Sequence, residues 1–211
     1  MSHPSSPIAI IHLDESCLGN GRDGQTPGGA GGVIEVRTSQ GIQRRDFYLH
    51  AADTTNNRMA LAGAIAALQL LTRKGKRLQV LMVSDSQYLV KGMREWIPGW
   101  IQRNWRRKGG PIENLPLWRA LVESARHHDV QWTWVRGHQG HAKNEYANDL
   151  AVAAATEQKT SNGTEPSGLV AWLATKRERG QYETYDPDAT FAKVERLVDT
   201  GDPIPIAEAV G

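Results

Sequence analysis

Apolar and polar positions along the chain follow two patterns. Short apolar or β-branched runs bounded by glycine-rich and polar turns predict strands. Apolar residues spaced three and four apart predict amphipathic helices. The predicted strands are a run from residue 8 that reaches Asp14, then residues 33–37, 44–51, 78–85 and 130–135. The predicted helices of this region start at Arg58, Ser86, Leu115 and Glu145.

The order of these elements predicts an α/β fold. The first three strands follow one another through short connections, which favours an antiparallel meander. A helix then separates the third and fourth strands, so the fourth should lie parallel to the first through a βαβ crossover. We therefore expect a five-stranded mixed sheet with helices on both sides. Asp14 and Asp85 would then lie at the same edge of that sheet, where α/β proteins place their active sites.

The last quarter of the chain differs in composition from the rest. Residues 1–156 form the predicted main domain, and residues 157–168 have the composition of a linker. Residues 169–211 form an extension with two short predicted helices, at 169–179 and 191–199. The sequence leaves open whether this extension packs on the main domain or binds a partner.

Charge is distributed unevenly along the 211 residues. The net charge is +2, but residues 1–156 carry 19 basic and 13 acidic side chains, whereas residues 157–211 carry 6 and 10. A basic main domain favours a polyanionic partner. No apolar run is long enough to span a membrane, and Cys17, the one cysteine, cannot form an internal disulfide. We therefore expect a cytoplasmic protein that does not associate with membranes.

A basic segment at residues 91–108 contains six basic side chains, one acidic side chain and three tryptophans. One interpretation is that the tryptophans pack a helix junction and the charges are only solvated. The other is a protrusion that grips a nucleic-acid backbone, with the charges supplying affinity and the aromatic rings supplying rigidity or stacking.

Four sequence blocks follow one another along the main domain: IAIIHLDESCLGN at 8–20, TTNNRMAL at 54–61, VSDSQY at 83–88 and VRGHQGHAKNEYANDLA at 135–151. In this order and at these separations they resemble type 1 ribonuclease H, over about residues 8–156. The resemblance implies an endonuclease that hydrolyses the RNA strand of RNA–DNA hybrids with two Mg²⁺ or Mn²⁺ ions. It also implies that the hybrid is the partner and that the protein acts as a monomer.

The resemblance assigns metal ligands, but two of the family's four carboxylates are absent. Asp14 and Asp85 match two aspartates of the family, whereas Ala60 stands at the family's glutamate position and Asn148 at its last aspartate. Asn148 retains a side-chain oxygen that can bind a metal, so Asp14, Asp85 and Asn148 are the expected ligands. Two interpretations stay open: an atypical but active metal site, or a natural or engineered form that binds hybrids without cleaving them.

Three acidic residues close to these positions could replace the missing carboxylate. Glu15 follows Asp14 on a strand, so its side chain should point to the opposite face unless the chain kinks. Asp149 lies about 100° around the helix from Asn148. Glu145 lies one turn before Asn148 on nearly the same face, which makes it the best-placed candidate of the three.

The resemblance also assigns a catalytic histidine and a substrate surface. His138, in the loop GHQGH, matches the family's catalytic histidine, which can accept or relay a proton near neutral pH; His141 is expected to be structural. The implied contacts to the RNA minor groove are Cys17, Asn20, Asn56, Asn57 and Gln87. Thr55 and Arg58 match a DNA-phosphate grip, and the protrusion contributes Trp96, Trp100, Trp105 and Lys108.

Overall fold

A six-stranded mixed sheet forms the centre of the protein. The computed structural model describes residues 8–19, 26–73, 75–137 and 139–200, with residues 197–200 described in backbone only. The strands lie in the order β5-β4-β1-β2-β3-β6. They are β1 (Ile8–Cys17), β2 (Gly28–Thr38), β3 (Gly41–Ala51), β4 (Gln79–Ser84), β5 (Asp129–Trp134) and β6 (Glu165–Pro166).

Seven α-helices flank this sheet in the described part of the chain. They are α1 (Asn56–Thr72), α2 (Gln87–Lys91), α3 (Ile97–Gln102), α4 (Leu115–Ala125), α5 (Ala142–Glu157), α6 (Leu169–Glu178) and α7 (Pro187–Thr200). A π-helical turn, Gly92–Trp96, joins α2 to α3. None of these helices is both long and apolar enough to cross a membrane.

The predicted topology around β1 is confirmed. β1 pairs antiparallel with β2 and parallel with β4, and β4 pairs parallel with β5. The helix α1 makes the crossover between β3 and β4, and Thr55 caps its start by accepting a hydrogen bond from the Arg58 amide at 3.3 Å. The C-terminal ends of β1 and β4 therefore lie side by side.

The prediction of five strands was one strand short. The short strand β6 pairs antiparallel with β3 through Arg45↔Pro166 and Asp46↔Glu165. It lies within residues 157–168, whose composition indicated a linker. Composition does not show that the outer edge of β3 offers unpaired backbone groups, and such an edge readily accepts another strand.

The two faces of the sheet are covered differently. The helix α1 covers the face that carries Leu13, and an added Cβ at Gly63 of α1 would lie 2.8 Å from the Leu13 side chain. The helix α5 covers the opposite face. An added Cβ at Gly31 of β2 would lie 2.6 Å from the Ala151 amide nitrogen of α5, so the missing side chain allows α5 to rest directly on the β2 backbone.

The C-terminal extension packs on the same face as α5. Leu169 and Leu173 of α6 are buried against Val33, Ala142 and Tyr146. Further along the extension, the α7 residues Phe191 and Val194 are buried with side chains of β1 and β4, namely Ile8, Ile10, Leu81 and Val83, and with Val135. The described part of the extension therefore contributes to the hydrophobic core.

Candidate metal centre and nucleic-acid surface

Three carboxylates meet at the edge of the sheet where β1 and β4 end. Asp14 and Glu15 lie near the end of β1, and Asp85 directly follows β4. One carboxylate oxygen from each lies within 4.8 Å of the others. Asp14 is buried, with 4% of its surface exposed, and the other two are partly buried.

Glu15 joins this cluster although strand alternation predicted the opposite face. The last paired residues of β1 and β4 are Leu13 and Ser84, so Asp14 and Glu15 extend beyond the β4 ladder. Beyond that point no β4 backbone separates the two faces, and side chains from both faces can converge around the same end. Alternation thus correctly places Asp14 toward α5 and Glu15 toward α1, yet their carboxylates still meet.

Ala60 lies on the helix that covers the Glu15 side of the sheet. It is fully buried on α1, three residues before Gly63, which contacts Leu13. Leu13 and Glu15 point to the same face because they are two residues apart on β1. Glu15 therefore supplies a carboxylate from the face on which the family's glutamate, replaced here by Ala60, would lie.

Glu145 and Asp149 face the C-terminal extension. Burial, followed by interaction with Glu145, raises the pKa of the Tyr182 hydroxyl, which lies beside that carboxylate. The Trp172 indole Nε1 donates to Asp149 Oδ2 at 2.7 Å. The carboxylate that meets Asp14 and Asp85 is therefore Glu15, although helical spacing ranked Glu145 first, because helical spacing alone did not reveal the neighbours of Glu145 and Asp149 on the extension.

The acidic cluster has strongly perturbed protonation. Burial and then the neighbouring charge of Asp85 raise the pKa of Asp14 to about 8. Burial, followed by the charges of Asp14 and Asp85, raises the pKa of Glu15 well above its usual value. The Glu15 Oε2 atom is buried without a hydrogen-bond partner. A cation at this position would relieve both the repulsion and the unmet hydrogen-bonding capacity.

An asparagine of α5 contacts the cluster directly. Asn144 is buried and donates from Nδ2 to Asp14 Oδ2 at 2.9 Å, while the Glu15 amide donates to Asp14 Oδ1 at 2.7 Å. Asn148 follows one turn later on the same face of α5 and is partly exposed. Sequence reasoning did not single out Asn144, although its spacing of four residues from Asn148 was an available signal.

The loop before α5 passes against Asp85. An added Cβ at Gly137 would lie 2.2 Å from Asp85 Oδ2, so only glycine fits there without a shift. The Trp134 Nε1 donates to the Asp85 carbonyl oxygen at 2.9 Å and anchors the turn after β4. His138, the next residue in sequence, and Asn20 lie outside the described residues.

Most of the expected RNA and DNA contacts lie at this same edge. Cys17 is half-buried near the end of β1, and its Sγ would lie 2.8 Å from a Cβ added at Gly28. The first residues of α1 and α2 follow the adjoining strand ends. Of these, Thr55, Arg58 and Gln87 are exposed, and Asn56 and Asn57 are partly exposed.

The tryptophans of the basic segment pack a helix junction, as the first interpretation of its sequence expected, and the nucleic-acid grip stays a prediction. Trp100 is buried, and its ring centre lies 5.9 Å from those of Trp96 and Trp118, so these rings pack the junction between α3 and α4. Trp105 is partly buried beneath Arg119. The charges stay outside that packing: Arg103, Arg106, Arg107 and Lys108 are all exposed.

Comparison with known proteins gives one consistent family. The family model described as RNase H matches residues 7–156. The chain belongs to the ribonuclease H family. Ribonuclease H of Pelobacter propionicus is 43% identical over 159 residues, which cover 75% of this chain and 90% of that protein. Ribonuclease H of Aromatoleum aromaticum is 45% identical over 143 residues, covering 67% and 86%.

A solved structure resembles this ribonuclease H beyond the matched domain. LC9-RNase H1 is 49% identical, with a TM-score of 0.76, over 82% of this chain and 83% of that chain. It is described as a type 1 RNase H with the type 2 active-site motif. The family hydrolyses RNA in RNA–DNA hybrids and depends on divalent metal ions, in accordance with the expectation from the sequence blocks.

Proposed function

We propose that this ribonuclease H cleaves the RNA strand of RNA–DNA hybrids at the edge formed by Asp14, Glu15 and Asp85. The observation that carries the proposal is the convergence of these three carboxylates within 4.8 Å. Asn148 would contribute a neutral oxygen from α5. In this ligand set Glu15 replaces the carboxylate of the family's glutamate, whose position Ala60 occupies. The negative charge of the family's last aspartate is not replaced, because Asn148 is neutral.

The donor set fits hard divalent cations. Carboxylate and amide oxygens favour Mg²⁺ or Mn²⁺, and the unpartnered Glu15 Oε2 offers one further ligand atom. Bound there, two such ions would supply an activated water and charge stabilisation for phosphodiester hydrolysis. Asn144 holds Asp14 through Oδ2, which fixes the orientation of this carboxylate toward its neighbours.

The surface around the cluster supports hybrid binding. Cys17, Asn56, Asn57 and Gln87 surround the carboxylates at one edge and would contact 2′-hydroxyls in the minor groove. Thr55, Arg58 and the exposed cations of the basic segment would contact phosphates of the DNA strand. We assign proton transfer near the cluster to His138, on the family resemblance of its loop.

An active site with rearranged ligands is favoured over a silenced form. A silenced hybrid-binding protein would account for Ala60 and Asn148 but gives no reason for Glu15 to converge on Asp14. The relative LC9-RNase H1, described as carrying the type 2 active-site motif on a type 1 protein, supports a natural rearrangement. We further propose that the protein acts as a monomer in the cytoplasm, which gel filtration and cell fractionation would test.

Replacing Asp14 tests the proposal directly. We expect Asp14→Asn to reduce cleavage of a labelled RNA–DNA hybrid at least about 10³-fold in both Mg²⁺ and Mn²⁺, because it removes the most buried charged ligand. Asp129→Asn is the matched control, since Asp129 is exposed at the start of β5. Its activity should equal that of the unchanged protein.

Two results would contradict the proposed site. Full cleavage by Asp14→Asn would place the chemistry elsewhere. Salt-dependent hybrid binding without cleavage by the unchanged protein, at every Mg²⁺ and Mn²⁺ concentration, would establish the silenced form. In the second case, recovery of cleavage in an Ala60→Glu, Asn148→Asp double variant would show that the substrate surface is intact.

A further inference from the structure

The outer side of α5 is occupied by the C-terminal extension. Trp172 of α6 donates a hydrogen bond from Nε1 to Asp149 Oδ2 at 2.7 Å. Lys176, also on α6, places Nζ 3.8 Å from the same carboxylate oxygen. Tyr182, in the turn after α6, packs its ring against that of Trp172, with 5.8 Å between the ring centres, and its hydroxyl lies beside Glu145. Two successive turns of α5 thus contact the extension through polar side chains.

A second set of contacts ties the start of the extension to both α5 and β3. Asp46 of β3 accepts hydrogen bonds at Oδ2 from the Gly168 amide, at 2.9 Å, and from the Tyr146 hydroxyl of α5. The Lys143 ammonium group, in the first turn of α5, donates to the Pro187 carbonyl oxygen at 3.1 Å. Contacts to the extension therefore begin at the first turn of α5.

These contacts lie on the helix that faces the acidic cluster. Asn144, which holds Asp14, lies between Lys143 and Glu145, and Asn148 directly precedes Asp149. The His141 side chain makes no capping hydrogen bond at the start of α5. The glycines of β2 set the distance of α5 from the sheet, and the extension contacts the sides of the helix that the sheet leaves open.

We propose that residues 167–187, hereafter the brace, are a positioning element for the metal site. The brace fixes the rotation of α5 about its own axis and its position along the sheet. It thereby fixes the positions of Asn144 and Asn148 relative to the carboxylates. This inference rests on the proposed function of Asp14, Glu15 and Asp85 as metal ligands. Hydrogen bonds that orient ligands in this way set metal affinity, and their loss typically weakens it about 10- to 100-fold.

A double variant in the full-length chain tests the brace. Trp172→Phe removes the donor to Asp149, Tyr182→Phe removes the hydroxyl beside Glu145, and both changes retain an aromatic ring in the brace. We expect Mn²⁺ binding without substrate, measured by calorimetry, to weaken about 10-fold. The kcat for hybrid cleavage should fall at low Mn²⁺ and recover at high Mn²⁺, while the KM for the hybrid stays unchanged.

Two control variants separate positioning from stability. Val170→Ala alters an exposed side chain of α6 and should leave Mn²⁺ affinity unchanged. Phe191→Leu reduces packing in the core beneath α7, so it should lower the melting temperature and leave Mn²⁺ affinity unchanged below that temperature. A simple stabilising role for the brace would instead make Mn²⁺ affinity follow melting temperature across all variants, which would overturn the inference.

The remaining outcomes distinguish the inference from the function on which it rests. If Asp14→Asn abolishes Mn²⁺ binding but the Trp172→Phe, Tyr182→Phe variant binds like the unchanged protein, the positioning role of the brace is refuted and the proposed metal site is supported. If Asp14→Asn binds Mn²⁺ like the unchanged protein, both are refuted. If the double variant alone weakens binding while Val170→Ala and Phe191→Leu do not, the brace is supported.

Discussion

Two buried acidic sites lie under α5, and they differ in how their charge is compensated. Glu35 of β2 is fully buried and accepts hydrogen bonds from Lys143 and Arg44, each at 2.7 Å. Asp14 is almost as buried, but its neighbours include two further carboxylates. The donors that reach its oxygens, Asn144 and the Glu15 amide, carry no positive charge.

The difference separates a structural site from a functional one. In the first site, burial lowers the pKa of Lys143 and the charge of Glu35 opposes that effect, so each ion stabilises the other. In the second site, burial and like charges raise the pKa of Asp14 and Glu15 together. Buried carboxylates without a positive partner are typical of functional sites, and a divalent cation is a ligand that fits these three side chains.

The largest expected effect comes from breaking the compensated site. We predict that Glu35→Gln lowers the free energy of unfolding by about 3–5 kcal/mol, because it leaves the Lys143 charge buried without a counterion. Asp14→Asn in the metal-free protein should change it by less than about 1 kcal/mol, since the change removes like-charge repulsion and keeps an acceptor oxygen. Urea denaturation in the presence of a chelator measures both.

Equal losses in the two variants would contradict this contrast. Such a result would mean that Asp14 contributes to stability through its hydrogen bonds as strongly as Glu35 does through its ion pairs. The exposed pair Arg126–Glu123 on α4 supplies a reference, since Glu123→Gln should cost no more than about 1 kcal/mol.

The second prediction tests whether Glu15 replaces the carboxylate of the family's glutamate, whose position Ala60 occupies here. We predict that Glu15→Ala weakens Mn²⁺ binding about 10- to 100-fold, since it removes one of three carboxylates. The exchange variant Glu15→Ala, Ala60→Glu should recover most of the affinity, because both positions face the α1 side of the cluster. Calorimetric titration with Mn²⁺ provides the measurement, with Glu123→Gln as the control for a lost surface carboxylate.

Two results would decide whether Glu15 is a metal ligand. Binding by Glu15→Ala at the affinity of the unchanged protein would show that Glu15 is not a ligand. Recovery in the exchange variant, together with hybrid cleavage, would show that the strand and helix positions are interchangeable sources of the same carboxylate.

The sequence was sufficient for five strands of the sheet and for the meeting of two candidate ligands. Apolar runs separated by a helical segment predicted β1, β4 and their parallel pairing, and this pairing brings Asp14 and Asp85 to one edge. Those features depend on local periodicity and on connection rules, which a single sequence carries.

The sequence was not sufficient where distant segments decide the outcome. Alternation correctly placed Glu15 on the face opposite Asp14, but it did not show that the two carboxylates meet, because the point at which the β1–β4 ladder stops is a tertiary property. The sequence also left open the docking of the extension, so it did not show that Glu145 and Asp149 face α6 and the turn after it. Strand β6 was missed for a similar reason, since its pairing depends on the free edge of β3.

The smallest effect is a pH dependence of the metal-free protein. The folded state holds a proton on Asp14 up to a pKa of about 8, whereas the unfolded state loses it near the usual value of 3.8. Between these values the folded state binds more protons at Asp14, so the contribution of Asp14 to the free energy of unfolding should fall as the pH rises. Bound metal requires the deprotonated carboxylate, so Mn²⁺ affinity should instead rise, by up to about tenfold per pH unit for each proton displaced.

Measurements in matched buffers between pH 5.5 and about 8 would test both slopes. Asp14→Asn should make the decrease in metal-free stability shallower and leave the part that the raised pKa of Glu15 contributes. The compensated site should show the opposite slope, because burial holds the pKa of His12, 3.8 Å from Glu35, well below its usual value of 6.5, so the unfolded state binds that proton more readily. An equally steep decrease in Asp14→Asn would contradict the raised pKa of Asp14, and would show that the two buried sites are less different than their geometry indicates.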